Sequence, residues 1–220
     1  MAIETKKDPN HGVVKFGPVP GVYLNLFQAK AVSINGKTSG EPKYSGDFLL
    51  TPGSDDYKAI SAKAFEVAKE RWPGRDLKEL QFAWSNGDKL AAKAELKGKK
   101  RDFYKGFTVL KARTQYEPQV SVVEGGSIVD YAGEKRALAS KHFKGGQLVF
   151  VEVKFVAYDG VGNNPDGVTA YLNAVVATGR KGVEVPVGGQ TSAEKFSGYI
   201  GLLSEEDPTA GSDPTQDEQF

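Results

Sequence analysis

The sequence predicts a mainly β protein, built as a small barrel or sandwich of short strands with helical insertions. One long segment, GQLVFVEVKFVAYDG (146–160), alternates apolar and polar residues with the period of a strand. Many of the 26 glycines stand at candidate turns, and only one segment has a clear helical pattern. Short strands between glycine turns are typical of barrels and sandwiches, and periodicity alone leaves both open.

The N-terminal region predicts two strands after an unstructured leader. Residues 1–20 contain several glycines and prolines and no sustained apolar pattern, so we expect a loose leader there. The segment 22–34 alternates, with Tyr23 and Asn25 on one face, and a turn is expected at Asn35-Gly36. A second strand is predicted over 43–50, and it ends at Pro52-Gly53.

One helix is predicted between Ser54 and Pro73. Ser54 is a good N-cap, and Asp55 and Asp56 suit the positive end of the helix dipole. The spacing of Ile60, Ala64, Val67 and Ala68 gives an apolar stripe that predicts packing on a sheet. Pro73-Gly74 is expected to end the helix.

The middle of the chain predicts strands over 80–85, 104–112 and 127–131. A turn is expected at Asn86-Gly87, and the Ala-rich basic segment 89–101 is compatible with a short helix or a mobile loop. The strongest strand follows, with Val149, Val151, Val153, Phe155 and Ala157 on one apolar face. It forms a hairpin with VTAYLNAVVATG (168–179).

The charge distribution divides the chain into residues 1–203, one barrel domain, and 204–220, an acidic tail that we expect to be disordered. The tail has six acids and no base, whereas residues 1–203 carry 29 bases and 22 acids, a net charge of +7. The small net charge of +1 therefore conceals a basic body attached to an acidic tail.

Several functional classes are disfavoured by composition. There is no cysteine and there are only two histidines, so a disulfide is excluded and a transition-metal site is not expected. No nucleophile elbow or phosphate-binding loop is present, and we expect neither enzymatic activity nor a cofactor. No apolar run is long enough to span a membrane, so we expect a soluble protein. The lack of cysteine fits the reducing cytoplasm, where we expect this protein.

The segment 89–113 carries the most informative pattern. It has nine bases and two acids, and Phe103, Tyr104 and Phe107 are interleaved with them. Single-stranded nucleic acid is bound by this combination, since cations pair with phosphates and flat rings stack on unpaired bases. The same residues would also fit a core of aromatic side chains under a solvated basic face.

The chain resembles tailed-phage single-stranded DNA-binding proteins with an OB fold. The resemblance rests on FYKGFTVLKA (103–112), VKFVAYDG (153–160), GVTAYLNAVV (167–176) and an acidic tail that ends in phenylalanine, here DEQF. It implies an OB-fold-like barrel that binds single-stranded DNA without sequence preference in phage replication, recombination or repair, in the host cytoplasm. A monomer and a homodimer are both compatible with it. The residues expected to contact DNA are the bases and candidate stacking rings Lys97, Lys99, Lys100, Arg101, Tyr104, Lys105, Lys111, Arg113, Tyr116 and Tyr158.

The tail is expected to bind replication or recombination proteins through Asp217, Glu218 and Phe220, since a ring can enter a pocket while the carboxylates meet basic residues. The alternatives to this interpretation are a structural phage protein with a β-sandwich fold and a strand-annealing or RNA-binding protein.

Overall fold

The structure is a computed structural model that describes residues 11–34, 37–162 and 164–185. The chain divides into two units, Met1–Val185 and Pro186–Phe220, and the described residues all belong to the first. The predicted domain boundary at residue 203 and the tail residues Asp217, Glu218 and Phe220 therefore lie outside the described residues and stay predictions.

Nine strands and two α-helices make up the described fold, together with three 3₁₀ helices at Leu77–Glu79, Asp102–Tyr104 and Gly133–His142. In chain order the elements are β1 (Val13–Ile34), β2 (Lys37–Leu50), α1 (Asp55–Arg71), β3 (Gln81–Phe82), β4 (Trp84–Asn86), α2 (Gly87–Glu95), β5 (Thr108–Thr114), β6 (Gln119–Glu124), β7 (Ser127–Asp130), β8 (Gln147–Tyr158) and β9 (Gly167–Lys181).

Five strands close into a barrel. β1 pairs with β2, β2 with β5, β9 with β8, and β8 with β1, all antiparallel. The barrel closes where β5 and β9 run parallel, at Ala112 and Ala170. Small side chains suit this seam because both are fully buried. The prediction of a mainly β, OB-fold-like barrel with helical insertions is confirmed.

The barrel interior is filled by the alternating faces of its strands. On β8 the predicted apolar face is confirmed for Val149, Val151, Val153 and Phe155, which are at most 2% exposed. The fifth predicted residue, Ala157, is partly buried against the same core. The helix α1 packs its own stripe, including Ile60 and Ala64, into the same cluster. Burial of these side chains from both layers supplies the main stabilisation of the fold.

Helix α1 begins and ends where the sequence predicts. The Ser54 hydroxyl accepts a hydrogen bond from the Tyr57 backbone N–H at 3.2 Å, and the helix ends at Arg71, shortly before Pro73. This cap satisfies one of the backbone donors that a helix leaves unpaired at its start.

We expect Ser54→Ala to lower the free energy of unfolding by about 1 kcal/mol, because the Tyr57 N–H loses its partner. Urea denaturation measures the change. Ser140→Ala is the matched control, since the Ser140 side chain is exposed. An equal effect of the two substitutions would contradict the role assigned to the cap.

The predicted leader is wrong over residues 13–20. Strand β1 begins at Val13 and pairs with β8 as far as Gly21, and the side chains of Phe16 and Val19 are buried. The register shifts between these two residues, at the position of Gly17-Pro18. A bulge accommodates a proline that a regular ladder would exclude, which hid this strand from a pattern-based prediction.

The predicted turn at Asn86-Gly87 is also wrong, because Asn86 begins a helix. Its side-chain oxygen accepts a hydrogen bond from the Lys89 backbone N–H at 2.9 Å. Only glycine fits at position 87, since a Cβ there would lie 2.0 Å from the Tyr104 carbonyl oxygen. The sequence left a short helix and a loop open for residues 89–101. The structure has the helix α2 over the first part of this segment and an exposed turn after it.

The remaining differences concern short elements. The strand predicted over 80–85 is divided into β3 and β4, and the strand predicted from Tyr104 begins at Thr108. Strand β6 and the 3₁₀ helix at Gly133–His142 were not predicted. No helix among the described residues is long and apolar enough to cross a membrane.

Candidate nucleic-acid interface

The outer face of β1, β2 and β5 brings charged side chains together. Inward-pointing Phe48 and Ala112 are fully buried, whereas the alternate residues of both strands point outward. Across β2 and β5, Asp47 pairs with Lys111 and Ser45 pairs with Arg113. Two basic side chains therefore lie next to each other on β5, and one acidic side chain lies opposite them on β2.

Tyr23 is the exposed ring of this face. It lies between the register positions Val22 and Asn25 of β1 and has φ +50°, which bulky residues rarely adopt. The ring is 42% exposed, and the Arg101 guanidinium lies 4.8 Å from its centroid. Such a conformation persists when its surroundings hold it, and it is frequent at binding sites.

A second, smaller core holds these groups in place. Val22, Leu49 and Val109 form its floor, on three adjacent strands, and Ala91 of α2 and Phe103 cover it. The ring of Phe103 also lies 6.0 Å from that of Tyr23. The helix α2 and the following 3₁₀ helix thus fix Arg101 and Tyr23 against the barrel.

Asp47 and Tyr104 form a hydrogen-bonded pair beneath the face. The Tyr104 hydroxyl donates to Asp47 Oδ2 at 2.7 Å. Burial raises the pKa of Asp47, against the opposing effects of the Tyr104 hydrogen bond and of Lys111, Arg113 and Arg101. Burial, and then the charge of Asp47, raise the pKa of Tyr104, which therefore remains a hydrogen-bond donor.

The structure gathers three of the predicted bases, Arg101, Lys111 and Arg113, around this face. Tyr104 lies there too, but its side chain is 1% exposed and is not available for stacking in this conformation. Tyr104 instead packs in the smaller core and donates its hydroxyl hydrogen bond to Asp47.

The other predicted residues lie around it. Lys97, Lys99 and Lys100 are exposed after the end of α2, and Lys105 is exposed and paired with Asp102 at 2.6 Å. Tyr158 lines a groove with Lys111 and Arg113 on the far side of β5.

Tyr116 lies in a different groove. It is 80% exposed beyond the end of β5, and Lys154 and Tyr171 line the same groove. The outer surface of β8 and β9 forms part of this groove, so Tyr116 is separated from the side chains around Asp47 by the β5–β9 seam.

Four residues of this region, Tyr23, Asp47, Lys30 and Lys43, are not predicted as site residues from the sequence. The two lysines line a groove with Arg113 along the β1–β2 hairpin. The signal for Tyr23 is its position with Asn25 on the polar face of a strand, but its neighbour Asp47 depends on strand pairing. In the part of the chain that the structure describes, no group of three or more His, Cys, Asp or Glu residues could hold a metal ion.

Comparison with solved structures relates this barrel to phage proteins. The single-stranded DNA-binding protein from bacteriophage Enc34, in complex with single-stranded DNA, aligns with a TM-score of 0.55 and 20% identity, over 80% of this chain and 90% of that chain. The chain has the fold of the Enc34 protein. The C-terminally truncated Enc34 protein aligns with a TM-score of 0.53 and 21% identity, over 79% of this chain and 87% of that one.

The single-stranded DNA-binding protein gp2.5 of bacteriophage T7 aligns with a TM-score of 0.43 and 13% identity, over 83% of this chain and 99% of that chain. The resemblance to phage single-stranded DNA-binding proteins that the sequence predicts is confirmed at the level of the fold, by the Enc34 structures. No protein-family model matches the chain, and no curated protein is significantly similar to it in sequence.

Proposed function

We propose that this protein binds single-stranded DNA on the outer face of β1, β2 and β5. The observation that carries the proposal is the exposed ring of Tyr23 under the Arg101 guanidinium, on the face that also carries Lys111 and Arg113. A base can stack on such a ring while the neighbouring cations pair with the phosphates on either side of it. The Enc34 protein, whose fold this chain shares, has a solved complex with single-stranded DNA.

The basic groups around the face extend the phosphate path. Lys30, Lys43 and Arg113 line the groove along the β1–β2 hairpin, and Lys97, Lys99, Lys100 and Lys105 lie on the turns near α2. Contacts to phosphate carry no base information, so binding depends weakly on sequence. The protein acts in this proposal by binding alone, without catalysis or a cofactor, and it serves phage DNA replication, recombination or repair.

The rings of Tyr158 and Tyr116 are proposed as outer stacking positions. Tyr158 lines a groove with the basic residues Lys111 and Arg113 on the β9 side of β5. Its hydroxyl donates a hydrogen bond to Gln81 at 3.4 Å. Tyr116 is the most exposed of the predicted rings. A DNA strand that contacts both rings would leave the outer face of β1, β2 and β5 and cross the β5–β9 seam.

We propose that the acidic tail, including Asp217, Glu218 and Phe220, recruits a replication or recombination protein. Removal of residues 204–220 takes away six acids and no base. We expect this truncation to leave oligo-dT affinity equal or to increase it, because a competing polyanion is removed. Anisotropy titrations of the two chains measure the difference, and a loss of affinity in the truncated chain would contradict this role for the tail.

The experiment that tests the function is anisotropy of labelled oligo-dT, its duplex and an RNA of equal length, titrated with the full chain at several salt concentrations. We expect preference for the single-stranded DNA and an affinity that falls with salt. Absence of binding to oligo-dT would contradict the proposal, and tighter binding to the RNA would reassign it.

A further inference from the structure

The acid at the centre of the basic face requires an explanation. Asp47 pairs across the sheet with Val22 on one side and Lys111 on the other, so it occupies the middle of the three-strand face. Arg101, Lys111 and Arg113 all act on its charge. A carboxylate in this position opposes the binding of a polyanion, because like charges repel most strongly where water is partly excluded.

The position of Asp47 therefore constrains which part of a nucleotide it meets. Phosphates are expected to follow the cations that flank Asp47, namely Lys111, Arg113 and the hairpin lysines, and not to contact the carboxylate itself. The base is the neutral part of the nucleotide and the part that stacks on a ring. Tyr23 supplies that ring one residue beyond the β1 partner of Asp47, and its centroid lies 6.3 Å from that of Tyr104, whose hydroxyl binds Asp47. A base stacked on Tyr23 can therefore bring its edge to the carboxylate.

Asp47 also has hydrogen-bonding capacity left for a ligand. Tyr104 donates to Oδ2, and within the described residues no group donates a hydrogen bond to Oδ1. Asp47 is partly exposed on this face, so a ligand bound there can reach its carboxylate. An ionised carboxylate can accept several hydrogen bonds, but it can donate none.

We propose that Asp47 accepts a hydrogen bond from the amino group of a base stacked on Tyr23, and so favours cytosine or adenine over thymine at this position. The inference rests on the proposed function. Cytosine carries an amino group at N4 where thymine carries the acceptor O4, and a carboxylate distinguishes the two. Tyr104 holds the carboxylate in place by occupying its other oxygen.

The substitution Asp47→Asn tests the inference because asparagine keeps the shape, retains an acceptor for Tyr104 and adds a donor. We expect the ratio of the affinity for oligo-dC to the affinity for oligo-dT to fall by about 3- to 10-fold, because one charge-assisted hydrogen bond to cytosine is lost. Binding of oligo-dT itself should tighten, since a negative charge is removed. Asp55→Asn, on the exposed start of α1, removes the same charge elsewhere and should leave the ratio unchanged.

A second measurement uses the unmodified protein. Oligo-dC in which each cytosine amino group carries two methyl groups has no amino hydrogen to donate. We expect it to bind the unmodified protein more weakly than oligo-dC does, by the same factor as in the Asp47→Asn test. An unchanged ratio in Asp47→Asn, or methylated oligo-dC bound as tightly as oligo-dC, would overturn the inference while the proposed function stands. Absence of binding to every oligonucleotide would overturn the proposed function and this inference with it.

Discussion

Replacing Lys111 and Arg113 together with alanine is expected to weaken binding of oligo-dT by about 10- to 100-fold at moderate salt. The two bases stand on adjacent outward positions of β5, opposite Asp47 and Ser45. Each can neutralise one phosphate. For single strands each lost phosphate contact also lowers the magnitude of the salt slope by about 0.7, so the double variant should lose about 1.4.

The matched control for this pair is Lys58→Ala with Lys69→Ala on α1, which removes the same charge from another exposed surface. We expect the control to bind nearly as the parent does, because surface charges that do not meet a phosphate contribute little beyond a Debye length. Anisotropy over a salt series gives both affinity and slope. Equal losses in the two double variants would show that net charge, not this face, governs binding.

Tyr23→Ala is expected to weaken binding of oligo-dT by about 5- to 100-fold, the range of one lost stacking contact. The ring is 42% exposed and rests against Arg101 and Phe103, so it offers a fixed platform for a base. Because the lost contact is uncharged, the salt slope should stay as in the parent. That combination separates a stacking ring from a phosphate contact in the same titration.

The substitutions Tyr23→Phe and Tyr23→Trp are the controls for this prediction. Both keep a flat ring at φ +50°, so we expect at most a small change in affinity, and the tryptophan should be quenched when a base stacks on it. A Phe variant as weak as the Ala variant would contradict stacking and would point to the hydroxyl of Tyr23 instead.

The elements that sequence alone predicted are those with a strong local pattern. Strand β8 alternates over its length, and α1 has a cap, a stripe and a stop within one short segment. Where a short sequence is compatible with two local structures, the sequence alone predicted the wrong one or left both open. Asn86-Gly87 suits a hairpin turn and a helix start equally, and packing of Gly87 against the Tyr104 carbonyl decides between them.

The candidate site was harder to predict because it depends on pairing between distant strands. The bases of the segment 89–113 are continuous in sequence, yet they are distributed over α2, its exposed turn and β5. Arg101, Lys111 and Arg113 all act on Asp47 because the 3₁₀ helix packs against β5 in the smaller core. The sequence predicts a strand at Tyr104 and hence a ring available for stacking, but the 3₁₀ turn buries this ring instead.

Tyr23 and Asp47 were missed for the same physical reason. They are 24 residues apart, and what joins them is the register of β1 with β2, including a shift beside Tyr23. Neither residue has a distinguishing neighbour in sequence. An aromatic residue on the polar face of a strand is the one local sign that a similar sequence would offer.

Photo-cross-linking tests whether single-stranded DNA lies on the outer face of β1, β2 and β5. An oligo-dT in which iododeoxyuridine replaces some thymidines is irradiated with the full chain, and the attached peptides are identified by mass spectrometry. Cross-links are expected at Tyr23, whose ring is exposed on the β1 part of this face. Cross-links confined to α1 or to β7, with Tyr23 unmodified, would contradict this location of the DNA.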